Sequence, residues 1–147
     1  MNDDATQTAI TEPEAPQPRV SLWLVMQAGE ALLALPAVHV AAVRDCSPPH
    51  RLPRQGEGAL RGALGWMGEL APCVCLVSAM GAVRCGTPKH TVFVRLEGAL
   101  WALLVDRAAR MIEVAEGEPT GELVWRGQPV KALDLGDLAA TLREALR

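Results

Sequence analysis

Tyrosine is absent from the chain, phenylalanine occurs once, at Phe93, and four tryptophans are the remaining aromatics of 147 residues. Half of the sequence is hydrophobic all the same, so any core is built mainly from leucine, valine and alanine. The scarcity also argues against the aromatic platforms on which single-stranded nucleic acids stack. A basic excess is missing too. The formal net charge is −3, which leaves no bulk positive field for a polyanion. No stretch approaches the roughly 20 unbroken apolar residues of a membrane-spanning helix. The opening Met1-Asn2-Asp3-Asp4 lacks the basic start and apolar stretch of a secretory signal. The expected location is therefore the cytoplasm, where the four cysteines are expected as reduced thiols rather than a disulfide framework.

A reaction centre is also missing. Cys73 and Cys75 flank Val74 and share one face of a strand, but Cys-x-Cys is not the Cys-x₂-Cys knuckle of zinc sites and no second ligand pair follows at a standard distance. Cys46, Cys85, His39, His50 and His90 do not complete one. Buried cysteine behaves as a small hydrophobe, and core packing is the stronger reading, with a thiol- or metal-dependent protein using Cys73 and Cys75 as the alternative. Asp106, Asp134 and His90 have no spacing that assigns nucleophile, base and orienter. Gly62 and Gly65 lack the later glycine of a dinucleotide fingerprint. Arg44, Arg51, Arg54 and Arg61 read as a solvated loop. No catalytic residue, cofactor or metal is expected.

What the chain does contain is short strands punctuated by glycine. Residues 1–19 come first, an acidic, proline-bearing segment with Pro13, Pro16 and Pro18 and only Met1 and Ile10 as large apolar residues. It is expected to be a disordered tail, leaving 20–147 as the folded part. There, Ser21–Gln27 reads as a strand, Gly29 as a turn, Ala31–Leu35 as the returning strand, and Val38–Arg44 as a third. A loop over Asp45–Gly58 and a short helical turn over Ala59–Leu64 follow. Gly62 through Leu76 then packs three glycines, Trp66, Pro72 and an alternating apolar run into one element, with a strand expected to end near Ser78. The second half repeats this plan. His90–Leu96, a Glu97-Gly98 turn and Ala99–Val105 form a hairpin, Ala108–Val114 a further strand, and Glu122–Trp125 with Val130–Leu135 a last pair around a Gly127-Gln128 turn. Gly136–Leu146 is the one convincing helix, with Asp134 as its N-cap and Leu135, Leu138, Leu142 and Leu146 as its stripe.

The halves echo each other. Trp66-Met-Gly-Glu precedes Leu76 by the same interval at which Trp125-Arg-Gly-Gln precedes Leu135. Repeated short strands with glycine turns argue two small closed barrels of about five strands each, sharing an apolar boundary because neither has much core alone. A duplicated β scaffold without a reaction centre suits a protein whose product is a contact.

The residues carry a resemblance as well. Gly62-x-x-x-x-x-Gly68-Glu69-x-x-Pro72-x-Val74-x-Leu76 resembles the signature of CheW-like coupling domains. Leu104-Val105-Asp106 resembles that family's Val-Asp-x-Val element, and Gln128–Leu138 its closing strand and helix. The match spans about residues 20–146. It implies a mostly β fold, two intertwined five-stranded SH3-like β-barrels with a C-terminal α-helix. It implies a non-enzymatic adaptor that links a methyl-accepting chemoreceptor tip to the regulatory domain of a CheA-type histidine kinase, in the cytoplasm at membrane-associated receptor arrays. No nucleic acid and no direct membrane insertion are implied. The partner interface falls, by the same resemblance, on Val40, Val43, Arg44, Gly62, Gly65, Trp66, Met67, Gly68, Glu69, Asp106 and Arg107.

The departures are chemical. The family's Asn, Leu, Arg and Asp positions hold Gly65, Trp66, Met67 and Cys75, and the acidic residue expected near the end of the third strand falls at Ala42. Exchanging Arg for Met removes a charge and a fork of hydrogen-bond donors, so a more apolar contact is expected. Glu69-Leu70 with Cys73-Val74-Cys75-Leu76 looks more like the divergent coupling proteins of Wsp-type surface-sensing systems. A degenerate homologue that fills array positions without touching receptor is the remaining alternative.

Overall fold

The computed structural model describes residues 20–50, 59–80, 87–115 and 123–146. The expected tail over residues 1–19, with parts of the three long loops, lies outside the described residues. The elements in chain order are β1 (Val20–Ala28), β2 (Ala31–Pro36), a 3₁₀ turn (Ala37–His39), β3 (Val40–Asp45), β4 (Leu60–Trp66), β5 (Glu69–Cys75), α1 (Leu76–Ala79), β6 (His90–Leu96), β7 (Ala99–Val105), β8 (Arg107–Ala115), β9 (Leu123–Trp125), β10 (Gln128–Ala132) and α2 (Leu135–Ala145).

These strands form two five-stranded sheets with the orders β9-β10-β2-β1-β8 and β3-β6-β7-β5-β4. The echo between the halves becomes an exchange. Each half supplies a first hairpin (β1–β2 or β6–β7), a third strand (β3 or β8), and a second hairpin (β4–β5 or β9–β10). The first hairpin of each half sits in the sheet built by the other. β1 pairs β8 and β2 pairs β10 in parallel, while β6 pairs β3 and β7 pairs β5 in parallel.

Strand alternation divides the apolar residues among three clusters. Leu24, Met26, Leu33 and Leu35 from one sheet meet Val92, Val94, Leu103 and Val105 from the other, with Leu138 and Leu142 of α2, in the shared boundary. The opposite faces curl around smaller clusters of their own. Leu64, Ala71, Cys73, Phe93, Leu100, Ala102 and Leu104 fill the second sheet, and Val25, Ala34 and Val130 fill the first. α2 begins where the Asp137 N–H donates to the Asp134 carboxylate at 2.9 Å, the expected N-cap, a contact of about 1 kcal/mol in general.

Several expectations are corrected. The sheets are not fully closed barrels. In the second sheet, among the described residues, the edge strands β3 and β4 are joined through the chain beyond β3, where His50 and Ala63 exchange N–H···O bonds of 2.9 and 2.8 Å. The helical turn expected over Ala59–Leu64 is strand β4. Gly62 disguised it, because its φ of +135° marks an irregularity in the β4–β5 register, where a Cβ would stand 2.2 Å from the His50 carbonyl oxygen. The strand expected to run to Ser78 turns helical at Leu76. Val38 lies in the 3₁₀ turn rather than a strand. The last hairpin turns at Arg126-Gly127, one residue earlier than expected, since Trp125 pairs with Gln128. Cys75 is disulfide-bonded, against the expectation of reduced thiols, while Cys46 and Cys73 are free.

Candidate functional site

The β4–β5 hairpin turns in two residues, with φ of +50° at Met67 and +81° at Gly68. Positive φ at both central positions defines a type I′ turn, whose twist matches the flanking strands. Trp66 and Glu69 close it as a ladder pair. The Trp66 ring stacks on Phe93 with centroids 5.9 Å apart and planes inclined by 23°, so the one phenylalanine fixes the tryptophan at the tip. Glu69 is held by the Arg95 guanidinium through both carboxylate oxygens. The hydrogen bond between them keeps the Glu69 carboxyl below its ordinary pKa and raises that of the Arg95 guanidinium. Met67 itself is 79% exposed and Leu70 67%.

Beside this tip lies a groove of about 410 Å³ lined by Arg44, Asp45, Ser47, Leu64, Gly65, Trp66, Met67, Thr91 and Phe93. It is the open part of the seam between edge strands β3 and β4. Two of its lining residues, Trp66 and Thr91, each hold a buried polar atom without a partner. Thr91 is 1% exposed, and neither its hydroxyl nor the buried Trp66 Nε1 makes a hydrogen bond. Unpaired buried groups of this kind are rare in native proteins and cost roughly 1–3 kcal/mol each.

Of the interface residues expected from sequence, Arg44, Gly65, Trp66 and Met67 line the groove, with Gly68 and Glu69 in and after the adjoining turn. Val43 is exposed on β3. Val40 packs against the shared core instead. Gly62 is buried under His50 and serves the backbone. Asp106 and Arg107 lie at the β7–β8 junction. There Asp106 Oδ2 accepts from the Gly29 N–H at 3.2 Å, and the Asp106 N–H donates to the Gln27 carbonyl at 3.0 Å. Asp106 thus ties the β1–β2 turn to the strand that links the two sheets. Sequence reasoning missed Thr91, Phe93, Leu64, Asp45 and Ser47 as groove residues. The available signal was Thr91, a hydroxyl next to the apolar run Val92–Val94.

Of the two cysteines of the thiol alternative, Cys75 is disulfide-bonded and Cys73 is held protonated. Cys73 is wholly buried, and burial, followed by the nearby Cys46, pushes its thiol up to about 12. The thiolate is the reactive form, so Cys73 is inert near neutrality. Among the described residues no cluster of three metal-ligating side chains occurs, and His90 Nδ1 instead accepts from the Ala108 N–H at 3.0 Å. Among those residues no helix is long and apolar enough to cross a membrane.

The family model of the CheW-like domain matches residues 22–123. The chain belongs to the CheW-like domain family. Among solved structures it is similar to the scaffolding protein TtCheW from Thermoanaerobacter tengcongensis, with a TM-score of 0.69 at 20% identity, covering 81% of this chain and 90% of that one. At that identity the likeness concerns the fold alone. No curated protein matches the sequence. The stretch from Gly62 to Leu76 that resembles the family's signature runs through the β4–β5 hairpin into the start of α1, and the groove opens beside its Gly65, Trp66 and Met67.

Proposed function

We propose that this CheW-like protein is a non-enzymatic adaptor coupling a methyl-accepting chemoreceptor to the regulatory domain of a CheA-type histidine kinase. The observation that carries the reading is the family match over residues 22–123. Its support from the molecule is the surface at the β4–β5 tip, where an exposed methionine and leucine adjoin a groove while the carboxylate beside them is already paired. The contact is weighted toward apolar burial and shape. The Met67 side chain occupies the turn position where the signature has arginine, and Gly65 and Trp66 replace its Asn and Leu. The proposed interface comprises Val43, Arg44, Gly65, Trp66, Met67, Gly68 and Glu69, whereas Val40 packs against the shared core, Gly62 serves the backbone under His50, and Asp106 and Arg107 lie at the β7–β8 junction. The protein acts in the cytoplasm, at receptor arrays. A contact at or below the standard size of about 1,600 Å² is expected.

Calorimetric titration with the kinase regulatory domain and with the receptor cytoplasmic tip from the same organism tests the proposal. Binding of either at micromolar concentration supports it. Absence of binding to both at tens of micromolar overturns it, and kinase binding without receptor binding selects the array-filling homologue.

A further inference from the structure

The two sheets are joined where β7 runs into β8, with Asp106 alone between the strands. The β1–β8 register shifts close to this point. Val25 pairs with Arg110 and Met26 with Ala108, so Ala109 is left over as a bulge. Beside the bulge, a side chain of the second sheet takes hold of β8. His90 opens β6, and its Nδ1 accepts from the Ala108 N–H at 3.0 Å. A ring nitrogen that accepts carries no proton, so this imidazole is neutral with its hydrogen on Nε2. Nε2 in turn stands 4.0 Å from Asp45 Oδ1.

His39 supplies the contrast. Its Nδ1 faces the Arg95 carbonyl oxygen at 3.3 Å. It therefore donates, and a proton added to the other nitrogen leaves that bond intact. A proton added to His90 lands on the accepting nitrogen itself. Nδ1 then becomes a donor facing a donor, and the bond to Ala108 is lost. The surroundings offer the imidazolium another partner. Asp45 is the ladder partner of His90 on β3, and its carboxylate is fully exposed. The other charged groups nearby are placed differently. Lys89 precedes His90, and Arg44 pairs with Thr91, on the opposite face of the sheet. The Asp106 carboxylate accepts from the Gly29 N–H, and Arg107 is exposed. The ladder partner on β7, Val105, is uncharged, and Cys46, which follows Asp45, packs against the second sheet's own cluster.

We infer that His90 is a proton-operated latch between the two sheets. Neutral, it ties β8 to β6. Protonated, it releases the Ala108 N–H and turns to Asp45. The change is carried along β6 to the groove, because Phe93, three residues on, stacks on Trp66. Asp45, Thr91 and Phe93 also line that groove. Acidification thus loosens the junction between the sheets and shifts the ring pair at the β4–β5 tip. The inference stands apart from the adaptor reading, since its signals are read on the protein alone.

The test follows amide exchange and the indole N–H resonances of the full chain by NMR between about pH 5 and 8, the range in which histidine changes charge in general. Protection of the Ala108 amide is expected to fall about tenfold on acidification, the effect of one hydrogen bond. The Lys89 amide, bonded to the Val105 carbonyl, is the reference and is expected to hold. The Trp66 indole signal, identified by its loss in Trp66→Phe, is expected to move with the same midpoint as Ala108. His90→Asn puts a non-titrating acceptor oxygen in the place of Nδ1 and is expected to keep Ala108 protected and the Trp66 signal still. His90→Phe is expected to leave Ala108 unprotected at every pH. Constant Ala108 protection in the parent overturns the latch without recourse to any variant, and so does an equal pH response in His90→Asn. A Trp66 signal that stays fixed while Ala108 titrates overturns its reach to the groove.

Discussion

The two tryptophan hairpins share a backbone and differ in what covers them. At β9–β10, Arg126 and Gly127 adopt φ of +54° and +76°, within a few degrees of Met67 and Gly68 at β4–β5. Each turn follows a half-buried tryptophan and occupies the same place in its sheet order. The side chains diverge. The Arg126 guanidinium lies 4.7 Å from the centre of the Trp125 ring and shields its own hairpin. At the other tip the corresponding Met67 points to solvent, the indole leans on Phe93, and its N–H is left without a partner. The turn is thus the same geometric part in both halves, and the residue in the left-handed position is what differs. One hairpin is capped by its own cation, and the other is left uncapped beside an open seam.

The largest expected effect attacks the backbone support of the open hairpin. Gly62→Ala forces a Cβ against the His50 carbonyl at a positive φ, and a loss of roughly 2–4 kcal/mol, the scale of strain plus steric overlap, is expected in chemical denaturation. A stability equal to the parent would show that His50 can move away and that the seam's closed end is soft. Next come substitutions at the two left-handed turn positions. Met67→Glu is expected to leave the melting temperature within a degree or so and to weaken partner binding about tenfold or more, since a charge is placed in a desolvated contact. Unchanged affinity would move the interface elsewhere. Arg126→Met is expected to cost about 0.5–1 kcal/mol of stability through the lost cation–π contact without changing partner affinity. Equal effects of Met67→Glu and Arg126→Met on binding would erase the distinction between the hairpins.

Two smaller effects depend on pH. Cys73 has a folded-state pKa raised to about 12 from an ordinary value near 9.0. Its protonated thiol therefore contributes stability that is complete below pH 9 and lost as pH rises toward 12. Cys73→Ala is expected to flatten that alkaline slope, and native Cys73 is expected to resist alkylation at pH 8. Rapid labelling there would contradict its burial. The smallest effect belongs to Glu69, whose lowered pKa means its pairing with Arg95 helps above the unfolded carboxylate value and fades as pH falls. Because both groups are exposed, the shift in melting temperature between the parent and Glu69→Gln at pH 7 is expected to be slight and to vanish in high salt.

Much of this was legible in the residues. The alternation in Leu22–Met26 and Val92–Val94, the glycine turns, and the interval between Trp66 and Trp125 gave strands, hairpins and duplication, because each depends on local backbone chemistry. Asp134 and the leucine stripe gave α2 for the same reason. Two kinds of information were out of reach. Gly62 broke the period of β4 because its irregular geometry serves His50, a contact distant in sequence. The assignment of β1–β2 to β8 rather than β3 is decided by which apolar faces bury each other, and both pairings satisfy the same local pattern. The groove was partly visible through Trp66 and Met67, but Thr91 acquires its meaning only when β6 brings it beneath the seam.

The hairpin exchange bears on how the chain reaches its native state. β1 finds its partner in β8, and β2 finds its parallel neighbour in β10, so the first strands made are completed by the last. During synthesis the β1–β2 hairpin emerges with both edges unpaired and waits for most of the chain to follow. High contact order of this kind slows folding, and exposed strand edges invite association while it proceeds. Neither half is expected to fold by itself when cut between β5 and β6. The two halves co-expressed as fragments are instead expected to assemble with each other, and at high concentration a full chain is poised to trade its leading hairpin with a neighbour.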